Sequence, residues 1–370
     1  MNWIEILTPV FYIGLIAVIL AFLLVIAEAI LANYGTCVIT VNGEKRLEVD
    51  GGRSLLASLK EHSIFVPSAC GGRGTCAYCK VKVLEGGPPL LPTETPLLTD
   101  EEQKDRMRLS CQIKVTEDLA IELPEEILSL REYHCTVESI RDMTHDVKEL
   151  VFKLDGDDRI EFTAGQYVQL ETPIYGSLKE PVYRAYSIAN PPRESDRIKL
   201  LIRRVPEGIC TTWVFDILKE GDPVTISGPY GHFRLSETDS EILMIAGSTG
   251  IAPIVSILEH MKDNEQARNR KARFFFGAVA LRDMFYLDEC EKLEQELPNF
   301  QFVPALSQPA DEDNWQGETG LITEVLDRHV DQGAEAEGYL CGSPGMIDAS
   351  IKVLNKKGIP EERIYYDKFA

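Results

Sequence analysis

Four cysteines restrict this chain more than any other feature. The run CGGRGTCAYC sets Cys70, Cys76 and Cys79 apart by five and then two residues, and Cys111, in RLSCQ, follows after 31 more. Three close thiolates and one distant one supply the four ligands of a two-iron cluster. Gly71, Gly72 and Gly74 let the backbone wrap closely around the sulfides and aim N–H groups at the sulfurs, which tunes the potential. A known spacing for such clusters has four residues in the first gap; five is a change in loop length, not in ligand number. Zinc sites favour paired C-x2-C knuckles, which a three-plus-one set in a Gly-rich loop does not supply. Disulfides are disfavoured in a reducing compartment. Cys37, Cys135, Cys210 and Cys290 lack ligand spacing and read as buried apolar fillers.

A second constraint is apolar. From Val10 to Ala32 the chain reads VFYIGLIAVILAFLLVIAEAILA, with Glu28 its one charge. As a helix it would be about 35 Å long at ~1.5 Å per residue, against a hydrocarbon core of ~30 Å. Pro9 suits the helix start, and Trp3 and Tyr34 suit interfacial anchoring. A cleaved signal peptide needs a basic leader and a shorter apolar core. No Lys or Arg precedes this run, and only the AEA triplet at 27–29 favours cleavage. The run therefore predicts a retained single transmembrane helix. Lys45, Arg46 and Arg53 follow it, which places the bulk of the chain on the cytoplasmic face of a bacterial inner membrane.

The remainder is charged, and the net charge of −21 argues against nucleic acid as a partner. After the apolar run, CVITVNG and EKRLEVD alternate as strands around Asn42-Gly43, a strong hairpin signal. SLLASLKEH then has helical spacing. Hairpin, helix, cluster loop, strand KVKVLEG and last ligand follow the order of the plant-type ferredoxin domain of flavin-dependent reductases, which residues 36–130 resemble. That resemblance implies a β-grasp fold.

Short β-branched runs follow the linker near Glu132: HCTVESI, KELVFKL and EFTAGQYVQLET, separated by Gly, Asp and Pro, the mark of a small antiparallel barrel. RAYS spans Arg184, Ala185, Tyr186 and Ser187. Arg184 can pair with a diphosphate, Tyr186 can stack on a flavin or its ribityl chain, and Ser187 can reach the reactive flavin edge. In RRVPEGICTT, Gly208 precedes Cys210, Thr211 and Thr212 at a helix start, a local anion site. The ordered set RxYS, RxxPxGxxT and GPxG resembles the FAD-binding barrel of the ferredoxin–NADP reductase superfamily. Residues 131–237 are therefore expected to bind FAD.

From 238 onward, strand–helix units repeat, which means a parallel sheet with helices on both faces. In IAGSTGIAP, Gly247, Thr249 and Gly250 form a turn before a helix that admits a pyrophosphate. CGSPGM, with Cys341 and Gly342, resembles the nicotinamide-side motif of the same superfamily. In YYDKFA, Asp367 stands where that superfamily has a carboxylate, and Phe369 would shield the flavin until nicotinamide displaces it. Arg282, flanked by Asp283 and later Asp288 in GAVALRDMFYLDE, resembles the NADH-using members. Ser187, Cys341, Asp367 and Phe369 are the expected catalytic set.

The whole reading is a multidomain α+β and α/β chain: a transmembrane helix over 1–35, a 2Fe-2S ferredoxin domain over 36–130, an FAD barrel over 131–237 and an NADH-binding domain over 238–370. This order resembles the F-subunit family of the Na+-translocating NADH:quinone reductases. The resemblance implies an NADH dehydrogenase module feeding other subunits of a membrane redox complex, with quinone as eventual acceptor. The reductase components of bacterial oxygenases share the three later modules, so delivery to an oxygenase or another redox partner stays open. A tethered electron carrier with a decayed flavin site is the non-enzyme alternative.

Overall fold

The computed structural model describes residues 11–23, 25, 34–68, 70–179, 181–333 and 335–368. It corrects the expectation for the N-terminus. Residues 11–23 are helical and expose apolar side chains such as Phe11, Ile13 and Phe22. Among the described residues no helix is long and apolar enough to cross a membrane. The reason is length: the described stretch covers about 20 Å at ~1.5 Å per residue, short of a ~30 Å hydrocarbon core. Val10, Leu24 and 26–32, with Trp3, Pro9 and Glu28, lie outside the described residues. Among the described residues the fold class therefore has no transmembrane helix. The placement as a single-pass inner-membrane protein, which rested on that helix, falls with it.

The chain divides into two compact units, one holding Gly72–Ser129 with the segment up to Val66, the other Leu130–Ala370 with Pro67–Gly71. The first unit is built on a five-stranded mixed sheet of order β2-β1-β5-β3-β4. Its strands are β1 (Thr36–Val41), β2 (Lys45–Asp50), β3 (Lys80–Glu85), β4 (Met107–Leu109) and β5 (Leu119–Glu122). β1 and β2 form the expected hairpin, with Asn42 and Gly43 both left-handed (φ 53° and 73°), as this tight turn demands. Helix α1 (Leu55–Glu61) starts where the Ser54 hydroxyl accepts the Ala57 N–H at 3.2 Å. It buries Leu55 and Leu59 in a core with Ile39, Val81, Leu109 and Ile121.

A buried ion pair organises the long loop before β4. Arg108 donates to Glu94 at 2.7 Å and to the Pro88 carbonyl at 2.6 Å, while Glu94 accepts the Leu109 N–H at 2.9 Å. Burial alone would raise the Glu94 carboxyl. The Arg108 guanidinium and the Leu109 and Leu91 N–H groups outweigh it and hold the group below the ordinary carboxylate range.

The second unit carries two sheets. The first is antiparallel, of order β10-β7-β6-β11-β8-β9. It comprises β6 (Arg131–Asp142), β7 (Val147–Leu154), β8 (Tyr167–Thr172), β9 (Val182–Ser187), β10 (Arg197–Arg203) and β11 (Pro223–Tyr230). The edges β9 and β10 meet at one bridge, Ile188–Leu200, so the sheet curls into a partly closed barrel. Helix α2 (Ile209–Asp216) plugs it with Cys210, Trp213 and Val214.

The second sheet is parallel, of order β15-β14-β13-β12-β16-β17. It comprises β12 (Glu241–Gly247), β13 (Ala272–Ala278), β14 (Phe300–Leu306), β15 (Glu318–Thr319), β16 (Ala336–Gly342) and β17 (Ile364–Lys368). Four helices of eight or more residues cross between these strands, α3 (Ile251–Asp263), α4 (Leu287–Glu296), α5 (Ile322–His329) and α6 (Pro344–Lys356). Barrel and parallel sheet share a core. Val147, Ala164, Ala189, Leu201 and Phe233 of the barrel lie in one buried cluster with Ile254, Leu258 and Phe276 of the sheet layer. Below the sheet, Arg270 pairs with Glu337 at 3.1 Å, both nearly fully buried, and donates to the carbonyls of Ser236 and Ser240, fastening the connecting segment.

Candidate functional site

The cluster cysteines sit where strand pairing gathers them. β3 starts directly after Cys79 and β4 ends two residues before Cys111, and Lys80 pairs with Leu109 across the ladder. The Ser110 N–H donates to the Cys79 carbonyl at 2.8 Å. Cys79 and Cys111 therefore lie side by side, close enough for their thiols to hydrogen-bond, with Cys76 near enough to act on Cys79 electrostatically. The Cys111 thiol and burial push the Cys79 thiol well up, so metal binding there must release its proton. Cys70 falls in the Pro67–Gly71 segment, which groups with the second unit. Cys37, Cys79, Cys135, Cys210, Cys290 and Cys341 are buried thiols outside any disulfide.

The loop is tightly turned. Gly74 has φ +71°, and even Ala77, between Cys76 and Cys79, is left-handed at φ 58°. Among the described residues no three His, Cys, Asp or Glu side chains gather to hold a single metal ion. A two-iron cluster takes its thiolates as two pairs, one per iron, and Cys79 with Cys111 is such a touching pair. An all-thiol donor set in a glycine loop fits that group.

In the barrel, β8 and β9 pair Val168 with Tyr186 and Leu170 with Arg184. Arg184 and Tyr186 therefore leave the strand on the face of Val168 and Leu170, and Ala185 and Ser187 on the other. The Tyr186 hydroxyl donates to Cys210 Sγ at 3.3 Å. Burial, with Cys210 beside it, pushes that phenol far above its ordinary value. The positive field of Arg184 reaches both Tyr186 and Cys210. Arg184, Tyr186 and Cys210 thus converge at the start of α2. Gly208 caps that helix with no side-chain bond, so first-turn N–H groups stay available to an anion. Thr211 closes the turn instead, donating to the Val205 carbonyl at 3.1 Å, and the Thr212 N–H goes to the Gly208 carbonyl at 2.8 Å. A guanidinium, a tyrosine ring and an open helix terminus fit a flavin dinucleotide. Ser187 is buried at the end of β9.

In the parallel sheet the chain leaves β12 toward β13 on one side and returns to β16 on the other, so β12 and β16 flank the topological switch point where such sheets bind ligands. Both glycine turns lie there. Ala246 pairs with Cys341, and Cys341 with Asp367 of β17. A β-carbon on Gly250 would stand 2.2 Å from the Cys341 carbonyl oxygen, and one on Gly342 (φ +139°) 3.3 Å from the Gly247 oxygen. The structure therefore brings Gly247, Gly250, Cys341, Gly342 and Asp367 together, with Thr249 in the turn between the first two. A cradle that only glycine leaves open fits a pyrophosphate. Burial, with Asp367 adding to it, pushes the Cys341 thiol far up, so it stays protonated. Arg282 is exposed, 3.9 Å from Asp283, and Asp288 is exposed in the first turn of α4. Phe369 lies outside the described residues.

Two groups escaped sequence reasoning. Tyr286, left-handed (φ 62°) at the start of α4, donates its hydroxyl to the buried carboxylate of Glu149 on β7. Arg141 lies 3.3 Å from that carboxylate and Lys199 3.8 Å. The two partners are 137 residues apart, and no local pattern announces such a contact. The second is Gln112, directly after the last cluster cysteine.

Comparison with known proteins finds three domains along the chain. Residues 39–116 match the 2Fe-2S iron-sulfur cluster binding domain, 134–235 the oxidoreductase FAD-binding domain and 244–352 the oxidoreductase NAD-binding domain. Among solved structures, an Amycolatopsis cytochrome P450 reductase, GcoB, aligns with a TM-score of 0.71 and 29% identity, over 90% of this chain and 99% of that one. A ferredoxin reductase in carbazole 1,9a-dioxygenase aligns with 0.69 and 26%, over 91% and 99%.

Among curated relatives, the F subunit of the Na(+)-translocating NADH-quinone reductase of Pseudomonas aeruginosa is 39% identical over 96% of this chain and 95% of its own. Its Methylococcus capsulatus counterpart is 37% identical over 99% of both chains, and its Neisseria meningitidis counterpart 36% over 99% and 100%. With cluster, FAD and NAD domains in one polypeptide, the protein is an NADH:acceptor oxidoreductase that relays electrons from NADH through FAD to a 2Fe-2S cluster. It belongs to the family of the F subunits of Na(+)-translocating NADH-quinone reductases.

Proposed function

We propose that this chain admits electrons from NADH to a membrane redox complex in which partner subunits reduce quinone and translocate Na+. The observation that supports it most is the end-to-end likeness to the F subunits, which takes in all three binding domains. NADH delivers two electrons as hydride, FAD accepts them together and releases them singly, and the cluster carries one at a time.

The chain's own residues position and insulate. Residues 36–130, 131–237 and 238–370 serve as the cluster, FAD and NADH modules. Cys70, Cys76, Cys79 and Cys111 hold the cluster. Arg184 and the start of α2, from Gly208 through Cys210, Thr211 and Thr212, neutralise the flavin diphosphate. Ala185 and Tyr186 seat the flavin, and Ser187 faces its reacting edge. Gly247, Thr249, Gly250 and Gly342 admit the NADH pyrophosphate. Cys341 lines the nicotinamide as a neutral thiol. Asp367 sets the local charge beside it, and Phe369 shields the flavin between turnovers.

Cys76→Ala tests the order of transfer. The cluster EPR signal is expected to vanish while NADH still bleaches the flavin; loss of both overturns the order. Quinone reduction that responds to Na+ only when partner subunits are present supports the assignment of partners. A second reading, delivery to an oxygenase, is favoured by the likeness to GcoB and the carbazole dioxygenase reductase. Isolation with an oxygenase in place of membrane subunits would establish it.

A further inference from the structure

We infer that Gln112 is a tuning residue of the iron–sulfur cluster, its side-chain amide donating an N–H···S hydrogen bond to the Cys111 sulfur. Gln112 Nε2 lies 3.6 Å from Cys111 Sγ. The orientation of the amide is set by the sulfur, which as a ligand thiolate can only accept, and it is matched at the other end. The Thr93 hydroxyl donates to Gln112 Oε1 at 3.3 Å, which leaves the NH2 group toward the sulfur.

The cluster loop makes room for this. Gly74 arches over the amide with φ +71°, and a β-carbon there would stand 2.5 Å from Gln112 Nε2 and 2.8 Å from its Cδ. The side chain is therefore held between Thr93, the Gly74 backbone and Cys111, and is not swinging free in solvent. All four residues belong to the first unit.

The chemistry follows from charge. A ligand sulfur gains electron density when the cluster is reduced. A donor aimed at that sulfur stabilises the reduced state more than the oxidised one and raises the reduction potential. Gln112 touches a ligand and not the electron donor or acceptor, so it acts through Cys111 and sets how readily the cluster fills.

This rests on the assignment of the cluster to these cysteines, and the test separates the two claims. Gln112→Leu keeps the bulk and removes the donor; Gln112→Glu replaces the donor with an anion. Each variant and the wild-type chain are reduced stepwise and followed by EPR, which reports cluster content and midpoint together. For Gln112→Leu we expect a full EPR signal with the reduced-to-oxidised ratio at fixed poise lowered by up to about tenfold, which is ~59 mV for one electron. A larger drop is expected for Gln112→Glu.

A full signal with an unshifted midpoint in Gln112→Leu overturns the proposal and leaves the cluster assignment standing. Absence of any signal in the wild-type chain defeats the assignment itself. If Gln112→Leu does not assemble the cluster, Thr93→Val decides. It leaves the glutamine in place and frees its carbonyl; a lowered midpoint supports the proposal and an unchanged one overturns it.

Discussion

Gly250 and the carbonyl of Cys341 are in backbone contact: a single added methyl on Gly250 would meet that oxygen at 2.2 Å and its carbon at 2.6 Å. Two turns about ninety residues apart in sequence thus form one wall of the proposed nicotinamide site. Neither side can yield as a flexible side chain does, because both contacting groups are backbone.

Gly250→Ala should therefore separate the two turns. Overpacking of this kind costs about 1–3 kcal/mol. The flavin site is built from other strands, so the variant should purify with FAD. Stopped-flow reduction by NADH should be slowed at least about tenfold, the equivalent of ~1.4 kcal/mol in the barrier. Wild-type reduction kinetics would refute the contact as a determinant of the site.

Arg184→Ala should weaken FAD binding. Hydrogen bonds to charged groups contribute about 1.5–3 kcal/mol, so the FAD Kd should rise roughly 10- to 100-fold. Flavin fluorescence titration of the apoprotein measures it. The cluster EPR signal should be unaffected.

Tyr286→Phe removes the hydroxyl from the buried Glu149 carboxylate and leaves that acceptor one donor short. The expected loss is about 1–3 kcal/mol, with Tm falling by ~2–4 °C per kcal/mol for a unit of this size. Glu149→Gln, which can still accept from Tyr286, should lose less of that contact but also forfeit the attraction of Arg141 and Lys199. Calorimetry of the two variants distinguishes the hydroxyl from the charge.

Acid sensitivity of the first unit should run through Glu94. Its folded-state pKa lies below the ordinary value because Arg108 and backbone N–H groups more than offset burial. The stabilisation is complete above the unfolded value of about 4.3 and is lost as pH falls through the lower folded value. Glu94→Gln leaves Arg108 buried without its counter-ion, which should cost about 3–5 kcal/mol at pH 7. The difference from wild type should narrow below pH ~4. Parallel melts from pH 7 to 3 would show converging curves; parallel curves would refute the mechanism.

What could be read from sequence was what chemistry spaces locally. Cys70, Cys76 and Cys79, the Asn42-Gly43 turn, RAYS and the two glycine turns each announce themselves within a dozen residues, and the turn and strand order followed. Pairings across long separations were not legible. Glu149 reads as one polar position in an alternating strand, and nothing near Tyr286 says which carboxylate it meets. Gln112 looked like an ordinary residue after a ligand until Gly74 and Thr93 were placed around it. The N-terminal expectation rested on the apolar run from 10 to 32, and among the described residues no helix is long and apolar enough to cross a bilayer.

The core that joins barrel and parallel sheet has a kinetic consequence. Phe233, Leu201 and Ala189 are packed into the same interior as Ile254 and Phe276. A hinge between these layers would strip apolar surface into water at about 25 cal/mol for each Å². Ser256 adds a hydroxyl bonded at 2.7 Å to the Asn190 carbonyl across the same seam. Barrel and sheet should therefore melt as one cooperative block in a single transition, and turnover should not wait on a slow clamshell motion. Access for the nicotinamide should then need no separation of the two layers.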